Sequence, residues 1–282
     1  MTPKTFLSLI AGIPMRLVGP LVWLLYALAY PFTSKDRRII KSNIQRVYNL
    51  PPGSSFARDF VRQNLMSEAR IMLDTIRFAM RPGDYEIAGM DEARDKFASL
   101  PKETGVVIIT AHVGSWDLAG YAAGTALGRP FHALAKPSKS KWLTPVLGEL
   151  RKRLAMRVIW TDSKSLLKDM MAVTQKGDAL GFVMDQKPGK RQGGHTCVFL
   201  GIPGTNIVPG PGLMITRKNL PVFGVYIMRT GRGKFRFYVT DVLPHGHGET
   251  DELKVAQLLA DDMSRMIKLY PEQWSWNYRR WK

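Results

Sequence analysis

Hydrophobic residues are most concentrated at the start of the chain. Residues 6–32 carry a single charge, at Arg16, and three prolines interrupt the apolar run. A helix that spans a membrane needs roughly 20 apolar residues, whereas only residues 17–32 are free of charge. The pattern fits a helix lying in one leaflet as well as one crossing the bilayer, and we expect residues 1–34 to form a membrane anchor.

The same apolar stretch has features of a secretory signal peptide. Residues 27–29, Ala-Leu-Ala, imitate a small-residue cleavage site after an apolar run. The segment that follows is strongly basic, with Lys35, Arg37, Arg38, Lys41 and Arg46. Basic residues beside an apolar segment favour the cytoplasmic side of a membrane. We therefore expect the apolar stretch to be retained as an anchor rather than cleaved.

After the anchor, apolar residues recur with helical and strand periods in turn. Helical spacing predicts helices over residues 56–80, 116–127, 143–154, 165–176 and 252–269. Short apolar or β-branched runs predict strands at 106–109, 131–135, 157–160, 179–184, 222–228 and 235–239. Strands that alternate with helices indicate a layered α/β domain. The sequence shows no linker to a further domain, so we expect one domain over residues 35–282.

The chain is strongly basic, since 41 Lys and Arg residues against 23 Asp and Glu residues give a formal net charge of +18. Such an excess indicates the partner rather than the fold, and it permits nucleic acid, an anionic membrane surface, or an acidic protein or substrate. The sequence has no recognisable nucleic-acid-binding module with interleaved basic and aromatic residues, so we do not expect nucleic acid. Cys197 is the only cysteine, which excludes an internal disulfide.

The candidate chemistry lies just after the predicted strand at 106–109. His112 follows that strand, and Asp117 stands after four intervening residues at the start of the next predicted helix. Ser115 is suited to cap that helix. We expect the turn to bring the Asp117 carboxylate back against the His112 imidazole, where it would fix the tautomer and stabilise the imidazolium.

A histidine base of this kind suits the activation of a hydroxyl, which is a poor nucleophile until its proton is taken. The sequence has no Gly-x-Ser-x-Gly elbow, so the hydroxyl would belong to a substrate. The oxyanion of an acyl transfer needs preorganised donors, which the start of the helix or a nearby arginine would supply. A metal site is a weaker alternative, because the His112 spacing is not His-Glu-x-x-His and only the turn with His245 and His247 offers paired histidines.

Five segments together resemble one protein family over nearly the whole chain. The residues 112–117 match a His-x4-Asp/Glu signature, and 181–186 (GFVMDQ) resemble a family strand that ends in an acidic residue. Further similar segments are 151–159 (RKRLAMRVI), 199–201 (FLG) and 271–282 (PEQWSWNYRRWK). The chain thus resembles the late lipid A acyltransferases, a group that also includes mycobacterial phosphatidylinositol-mannoside acyltransferases.

The resemblance implies a glycerolipid-acyltransferase-like α/β fold, a mixed sheet flanked by helices behind an N-terminal membrane-anchoring helix. It also implies an enzyme at the cytoplasmic face of a bacterial inner membrane. Such an enzyme would move a fatty acyl chain from an acyl carrier protein or coenzyme A thioester to a hydroxyl of a lipid acceptor. A lipid A precursor is the leading acceptor, and no metal or resident cofactor is expected.

The resemblance also assigns roles to particular residues. His112 is implied as the base and Asp117 as its partner. Arg151 falls where the family keeps an arginine near the reacting carbonyl or the acceptor's phosphate, and Arg153 is the alternative if the register slips by two. Asp185 matches a family acid that would support the site. Trp116 and Lys136 complete the expected substrate-binding set.

Partners and alternatives follow from the same resemblance. Acyl carrier protein, coenzyme A and an anionic membrane are all negatively charged, so basic residues near the expected site would steer them, namely Lys136, Lys139, Lys141, Lys152, Lys187, Lys190 and Arg191. We expect a monomer. Ser115 and Ala155 depart from residues common in the family, which leaves lysophospholipid, glycolipid and aminolipid acceptors open. A thioesterase or other hydrolase that uses the same pair on water is the remaining enzymatic alternative.

Overall fold

A computed structural model describes residues 2–189 and 193–281, and in these residues four helices precede the first strand. They are α1 (Pro3–Gly12), α2 (Met15–Ala29), α3 (Ser34–Val47) and α4 (Ser55–Met80), with a 3-10 turn at Tyr30–Thr33. Pro14 separates α1 from α2, because proline cannot continue the hydrogen-bond ladder of a preceding helix. The predicted helix over 56–80 is confirmed as α4.

The described chain then alternates between strands and helices. The strands are β1 (Glu86–Ala88), β2 (Val106–Thr110), β3 (Phe131–Ala135), β4 (Met156–Trp160), β5 (Ala179–Val183), β6 (His195–Phe199), β7 (Ile202–Ile207), β8 (Val222–Gly231) and β9 (Lys234–Leu243). The helices are α5 (Met90–Phe97), α6 (Trp116–Leu127), α7 (Leu143–Arg153), α8 (Leu166–Gln175), α9 (Gly210–Lys218) and α10 (Glu252–Leu269).

Seven of these strands form one mixed sheet in the order β1-β9-β8-β2-β5-β3-β4. Neighbouring strands are parallel except for β8 and β9, which form an antiparallel pair, and β6 with β7 makes a separate two-stranded hairpin. The expected fold class, a mixed α/β sheet flanked by helices, is confirmed. Each helix and strand predicted from the pattern overlaps an observed element of the same type.

Some elements carry no signal in the hydrophobic pattern. The strand β1 has three residues, and the helix α9 begins with Gly-Pro-Gly, which is typical of a loop. The hairpin of β6 and β7 turns through Leu200 and Gly201, both at positive φ. These elements are defined by packing against the sheet or α10 rather than by their own propensity.

Both faces of the sheet are covered. On β2, Val107 and Ile109 join the core that includes α8, α10 and the C-terminal tryptophans. The alternate residues Val106 and Ile108 join the core that includes α5, α6 and α7. A parallel strand covered on both faces must be apolar throughout. This burial leaves the carboxyl edge of the strands as the place where polar residues gather.

The N-terminal helices combine buried and exposed apolar residues. Leu7 of α1 is fully buried, and Val18 and Val22 of α2 are buried as well. In contrast, Trp23 and Phe32 are 61% and 85% exposed. The segment Met15–Val47 is long and apolar enough, by length and composition, to cross a membrane. An N-terminal apolar helix that could anchor the protein is thus present, while the boundary at residue 34 stays a prediction.

Candidate active site

The parallel pairing of β2 with β5 brings His112 and Asp185 together. The register runs from Val106 opposite Ala179 to Thr110 opposite Val183, and each polar residue follows two positions beyond its strand's last pair. Nδ1 of His112 lies 2.7 Å from Oδ1 of Asp185. The Asp185 side chain is buried, whereas about a quarter of the His112 side chain is exposed. The pair therefore opens toward the surface through the imidazole.

The C-terminal segment holds this pair from the other side. The indole Nε1 of Trp274 donates a hydrogen bond of 2.6 Å to the second carboxylate oxygen of Asp185. Gly114 N–H donates to the Gln273 carbonyl and Ser275 N–H donates to the His112 carbonyl. The C-terminal segment is thus hydrogen-bonded to residues 111–115, which we call the His112 turn. The sequence marks these C-terminal residues only as a family match, and their contact with the site is visible only in three dimensions.

The protonation of the pair follows from its surroundings. Burial of His112 lowers its pKa, but the Asp185 carboxylate, with smaller effects from Asp117 and Glu68, more than offsets burial and raises the pKa of His112 above its ordinary value. Burial of Asp185 acts to raise its pKa, yet the imidazole and the N–H groups of His112 and Trp274 hold it below its usual range. Asp185 is therefore the anionic partner of the pair.

The tautomer of His112 follows from its two neighbours. The Asp185 carboxylate can only accept a hydrogen bond from Nδ1 of His112, so Nδ1 carries the proton. The amide Nε2 of Gln186 lies 3.4 Å from Nε2 of His112, and an amide N–H only donates. We therefore assign the lone pair to Nε2, which makes this atom the base. The ring of Trp116 packs edge-on against the imidazole, with centroids 5.0 Å apart.

Asp117 does not take the role that its spacing predicted. Ser115 caps α6 as expected, since its hydroxyl accepts from Leu118 N–H. The Asp117 carboxylate, in the first turn of that helix, instead accepts a hydrogen bond of 2.9 Å from Nε of Arg151. The expected pairing of Asp117 with His112 is wrong, because the parallel register supplies Asp185 and the last turn of α7 supplies a cation for Asp117.

The basic residues of the expected site separate into different places. Arg151 is largely buried against Asp117, whereas Arg153 forms an i,i+4 pair with Glu149 on its own helix. Arg151, and not the alternative Arg153, thus faces the site. Lys136 follows β3 and is exposed, so it lies at the same edge of the sheet as His112 but is not joined to it in the described part of the chain. Lys190 and Arg191 lie outside the described residues.

The start of α6 offers donors for a developing negative charge. The first N–H groups of an α-helix have no acceptor within the helix, and those of Trp116 and Asp117 begin α6 directly after the His112 turn. These groups carry the positive end of the helix dipole. These N–H groups are suited to stabilising a negative charge that develops beside the His112 turn.

Two cavities share Trp116 and Asp117 in their walls. One, of about 90 Å³, lies between α4 and the His112 turn and includes Glu68 and Met72 in its wall. The other, of about 30 Å³, lies between α6 and the sheet and is mostly apolar, with both Phe131 and Arg151 in its wall. In residues 2–189 and 193–281, no group of three or more His, Cys, Asp or Glu side chains could hold a metal ion.

Comparison with known proteins gives a consistent picture. The family model described as bacterial lipid A biosynthesis acyltransferase matches residues 4–282. A lipid A biosynthesis palmitoleoyltransferase of Escherichia coli (strain K12) is 22% identical over 263 residues, which cover 91% of this chain and 82% of the relative. A phosphatidylinositol mannoside acyltransferase of Mycolicibacterium smegmatis (strain ATCC 700084 / mc(2)155) is 25% identical over 248 residues, 86% of this chain and 78% of the relative.

Proposed function

The chain belongs to the bacterial lipid A biosynthesis acyltransferase family, and from this premise we propose that it moves a fatty acyl chain from a thioester to a hydroxyl of a lipid acceptor. The observation that carries the proposal is the buried Asp185 carboxylate against Nδ1 of His112, which leaves Nε2 as a base at the surface. A lipid A precursor is the leading acceptor.

In the proposed reaction, His112 is the only side chain that takes up and returns a proton. The acceptor hydroxyl gives its proton to Nε2 while its oxygen attacks the thioester carbonyl. Asp185 stabilises the imidazolium, and the N–H groups at the start of α6 with Arg151 stabilise the oxyanion. When the intermediate collapses, the C–S bond breaks and the leaving sulfur takes the proton from His112. The product ester and the free thiol balance the reaction.

Direct transfer fits better than an acyl-enzyme intermediate. The only cysteine, Cys197, donates through Sγ to the Thr205 carbonyl, and burial raises the pKa of its thiol to about 11. A thiol in that state is a weak nucleophile. The hydroxyl of Ser115 caps α6 and is hydrogen-bonded to Thr75. Neither side chain is therefore placed to carry the acyl group.

Charge supports a negatively charged donor and surface. The net charge of +18 suits acyl carrier protein, coenzyme A and anionic lipid alike. Exposed Lys136, at the edge of the sheet where His112 lies, is suited to steering a donor rather than to holding it. We propose that the protein works as a monomer at the cytoplasmic face of a bacterial inner membrane, through its N-terminal apolar helices.

A glycolipid acceptor is the second candidate. The relative named phosphatidylinositol mannoside acyltransferase has the higher identity of the two relatives described above, although over a shorter stretch. The proposed chemistry at His112 is the same for either acceptor, because both present a hydroxyl. The acceptor's headgroup is therefore the variable that an assay must resolve.

The test is an acyl-transfer assay on the purified full chain in detergent micelles. Radiolabelled acyl carrier protein and acyl-coenzyme A are each offered with a lipid A precursor, phosphatidylinositol mannoside, a lysophospholipid or an aminolipid. A labelled lipid that forms with the wild type and not with His112→Ala supports the proposal and names the acceptor. Free fatty acid with every acceptor would instead indicate a hydrolase, and transfer retained by His112→Ala would contradict the proposed base.

A further inference from the structure

One half-buried carboxyl near the His112 turn, that of Glu68, has no part in the reaction described so far. Glu68 lies on α4, lines the cavity between α4 and the His112 turn, and hydrogen-bonds the side chain of Ser275. Its Oε1 is shielded from solvent and has no hydrogen-bond partner among the described residues. Burial, offset in part by Ser275 and His112, raises the pKa of Glu68 to about 7.

A shielded carboxyl oxygen without a hydrogen-bond partner destabilises the folded protein. Buried polar atoms are almost always hydrogen-bonded, and an exception needs an explanation. The neighbours of Glu68 on α4 that line the same cavity include Ile71 and Met72, so a neutral side chain of similar size would fit the wall without that cost. A substrate group that pairs with the carboxyl would explain why a glutamate stands there.

Glu68 lies on the face of α4 that contacts the C-terminal segment and the His112 turn. Asn64, one turn earlier, donates to the Glu272 and Trp274 carbonyls, and Thr75, two turns later, is hydrogen-bonded to Ser115. Glu68 lies on the same stripe between these anchors, since residues about four apart share a helix face. Its neighbours hold the C-terminal segment and the His112 turn in place while one of its own oxygens stays free.

The two cavities that share Trp116 and Asp117 in their walls differ in size and lining. The smaller one, of about 30 Å³, is walled mostly by apolar side chains of the sheet and α6 and has room for about one water-sized group. The Glu68 cavity adjoins a third cavity, since both include Gln273 in their walls. That third cavity, of about 460 Å³, also holds Trp23, Arg62 and Arg70. The same wall includes Arg229 and Glu272, so a polar headgroup that arrives beside α2 meets three arginines and one carboxylate before it reaches Glu68.

We propose that the Glu68 cavity receives the hydroxyl-bearing end of the lipid acceptor and that Glu68 hydrogen-bonds this end, holding it beside His112. The proposal rests on the proposed acyltransferase function and assigns the Glu68 cavity to the acceptor. Glu68 is then a substrate-contacting residue that takes no proton from the reaction. Its loss should weaken the acceptor's binding and not the donor's.

The test compares Glu68→Ala with the wild type under steady-state kinetics. The acceptors are a lipid A precursor and phosphatidylinositol mannoside in detergent micelles, and the donor is varied independently. We expect the KM for the acceptor to rise about 10-fold, because the hydrogen bond between the acceptor and the Glu68 carboxyl is lost, while the KM for the donor changes less than about twofold. Glu68→Gln, whose amide oxygen still accepts, should recover part of the acceptor's affinity.

Two controls separate this role from a structural one. Asp59→Ala removes an exposed carboxylate from the same helix and should leave both KM values unchanged. Glu68→Met should keep or raise the midpoint of thermal unfolding, because the unpaired carboxyl is removed from a buried place. An unchanged acceptor KM in Glu68→Ala, or equal rises in both KM values with a lower unfolding midpoint, would overturn the proposal.

A direct binding measurement keeps the two proposals apart. Titration of the same micellar lipids against wild type and Glu68→Ala, followed by tryptophan fluorescence, reports acceptor binding without turnover. If the wild type transfers no acyl group, the proposed function fails, and the titration still decides whether Glu68 contacts the acceptor. Weaker binding by Glu68→Ala supports the contact, and equal binding overturns it.

Discussion

Nδ1 of His112 lies 2.7 Å from Oδ1 of Asp185, although the two residues are 73 positions apart in the sequence. The distance follows from β2 and β5 being parallel neighbours whose carboxyl ends meet at one edge of the sheet. The carboxylate is buried, negatively charged and held by Trp274 on its other oxygen. It is therefore the group that orients the proposed base.

Replacing Asp185 with asparagine should impair the chemical step while leaving the fold intact. We expect kcat to fall by about 100- to 10,000-fold, as a histidine base without its anionic partner is poorly oriented and its imidazolium is not stabilised. Because the Asp185 carboxylate raises the pKa of His112, its removal lets burial dominate and lowers that pKa. The acid limb of the kcat/KM profile, where His112 becomes protonated, should therefore move to lower pH.

A second His–Asp pair in the protein provides the control for that change. Nε2 of His132 lies 2.9 Å from Oδ2 of Asp178. Asp178 directly precedes β5 and therefore lies away from the carboxyl edge of the sheet. Asp178→Asn should leave kcat and the pH profile as in the wild type. Equal losses in Asp178→Asn and Asp185→Asn, or an acid limb unmoved by Asp185→Asn, would contradict the assigned role.

Asp117 and Arg151 should behave as one coupled unit. Each side chain is largely buried in the pair, so removing one partner leaves the other's charge without its counterion. In a double-mutant cycle of Asp117→Asn and Arg151→Ala, we expect a coupling free energy of about 1–3 kcal/mol in unfolding by denaturant. Activity should fall with either change, because the pair fixes the start of α6.

The neighbouring pair of Arg153 and Glu149, which is about twice as exposed, supplies the contrast. Arg153 and Glu149 form an i,i+4 pair on α7, a type of interaction worth about 0.3–0.5 kcal/mol. Its double-mutant cycle should give a coupling within that range and little change in turnover. A coupling free energy at Asp117 and Arg151 no larger than at this more exposed pair would contradict the expected contribution of the buried contact.

Gly114 should not tolerate a side chain. Its φ is +59°, and a Cβ would lie 2.0 Å from the Ile227 carbonyl oxygen and 2.9 Å from Sδ of Met228. Gly114→Ala should lower the free energy of unfolding by about 3 kcal/mol or more, from backbone strain and overlap with β8 together. Because the His112 turn must shift to relieve the overlap, kcat should fall as well.

Gly128 provides a control that distinguishes the cost of backbone strain from the cost of steric overlap. Its φ is +64°, yet a Cβ there meets nothing within 4 Å. Gly128→Ala should therefore cost about 1 kcal/mol in unfolding free energy and leave kcat unchanged. Equal destabilisation by the two substitutions, measured by denaturant titration, would rule out overlap at Gly114 as the added cost.

Patterns along the sequence correctly predicted the features that depend on neighbouring residues, such as the bounds and the cap of a helix. The helix α6 runs over the predicted residues 116–127, and Ser115 caps it as its position suggests. The buried strand before His112 is also where its β-branched run indicates. Spacing along the chain then assigned Asp117 to His112, since the two lie near each other in sequence. That inference failed because the partner of a residue after a parallel strand comes from the neighbouring strand.

The residues that complete the site carry no local signal. Strands β2 and β5 are separated by two other strands in the sequence, so their adjacency is a property of the whole sheet. Trp274 reaches Asp185 only after the C-terminal segment pairs with the His112 turn. Glu68 belongs to none of the quoted family segments and looks like any polar residue of an amphipathic helix. The sequence thus indicated His112 and, through the family resemblance, Asp185, but neither the contact between them nor the places of Trp274 and Glu68 near them.

Membrane attachment should depend on the exposed face of α2 and the turn that follows. Leu24, Leu28 and Phe32 are exposed, whereas Val18 and Val22 pack against the protein. Replacing the three exposed residues with serine keeps Leu7 and the rest of the buried contacts, which deletion of residues 1–32 would remove. At about 1 kcal/mol for each partly inserted apolar side chain, binding to anionic vesicles should weaken about 100-fold.

The matched control lies on α10 and α8, where Leu253, Leu269 and Leu167 are exposed to a similar degree. Serine at these three positions should leave vesicle binding unchanged, because they lie outside the apolar N-terminal stretch. Sedimentation with vesicles of anionic phospholipid measures both triple variants, and circular dichroism confirms that each is folded. If the N-terminal variant sediments like the wild type, the basic surface holds the protein at the membrane, and raised salt should then release it. If it stays in solution at every salt concentration, the apolar face is the anchor and the positive charge serves the donor or the acceptor's headgroup.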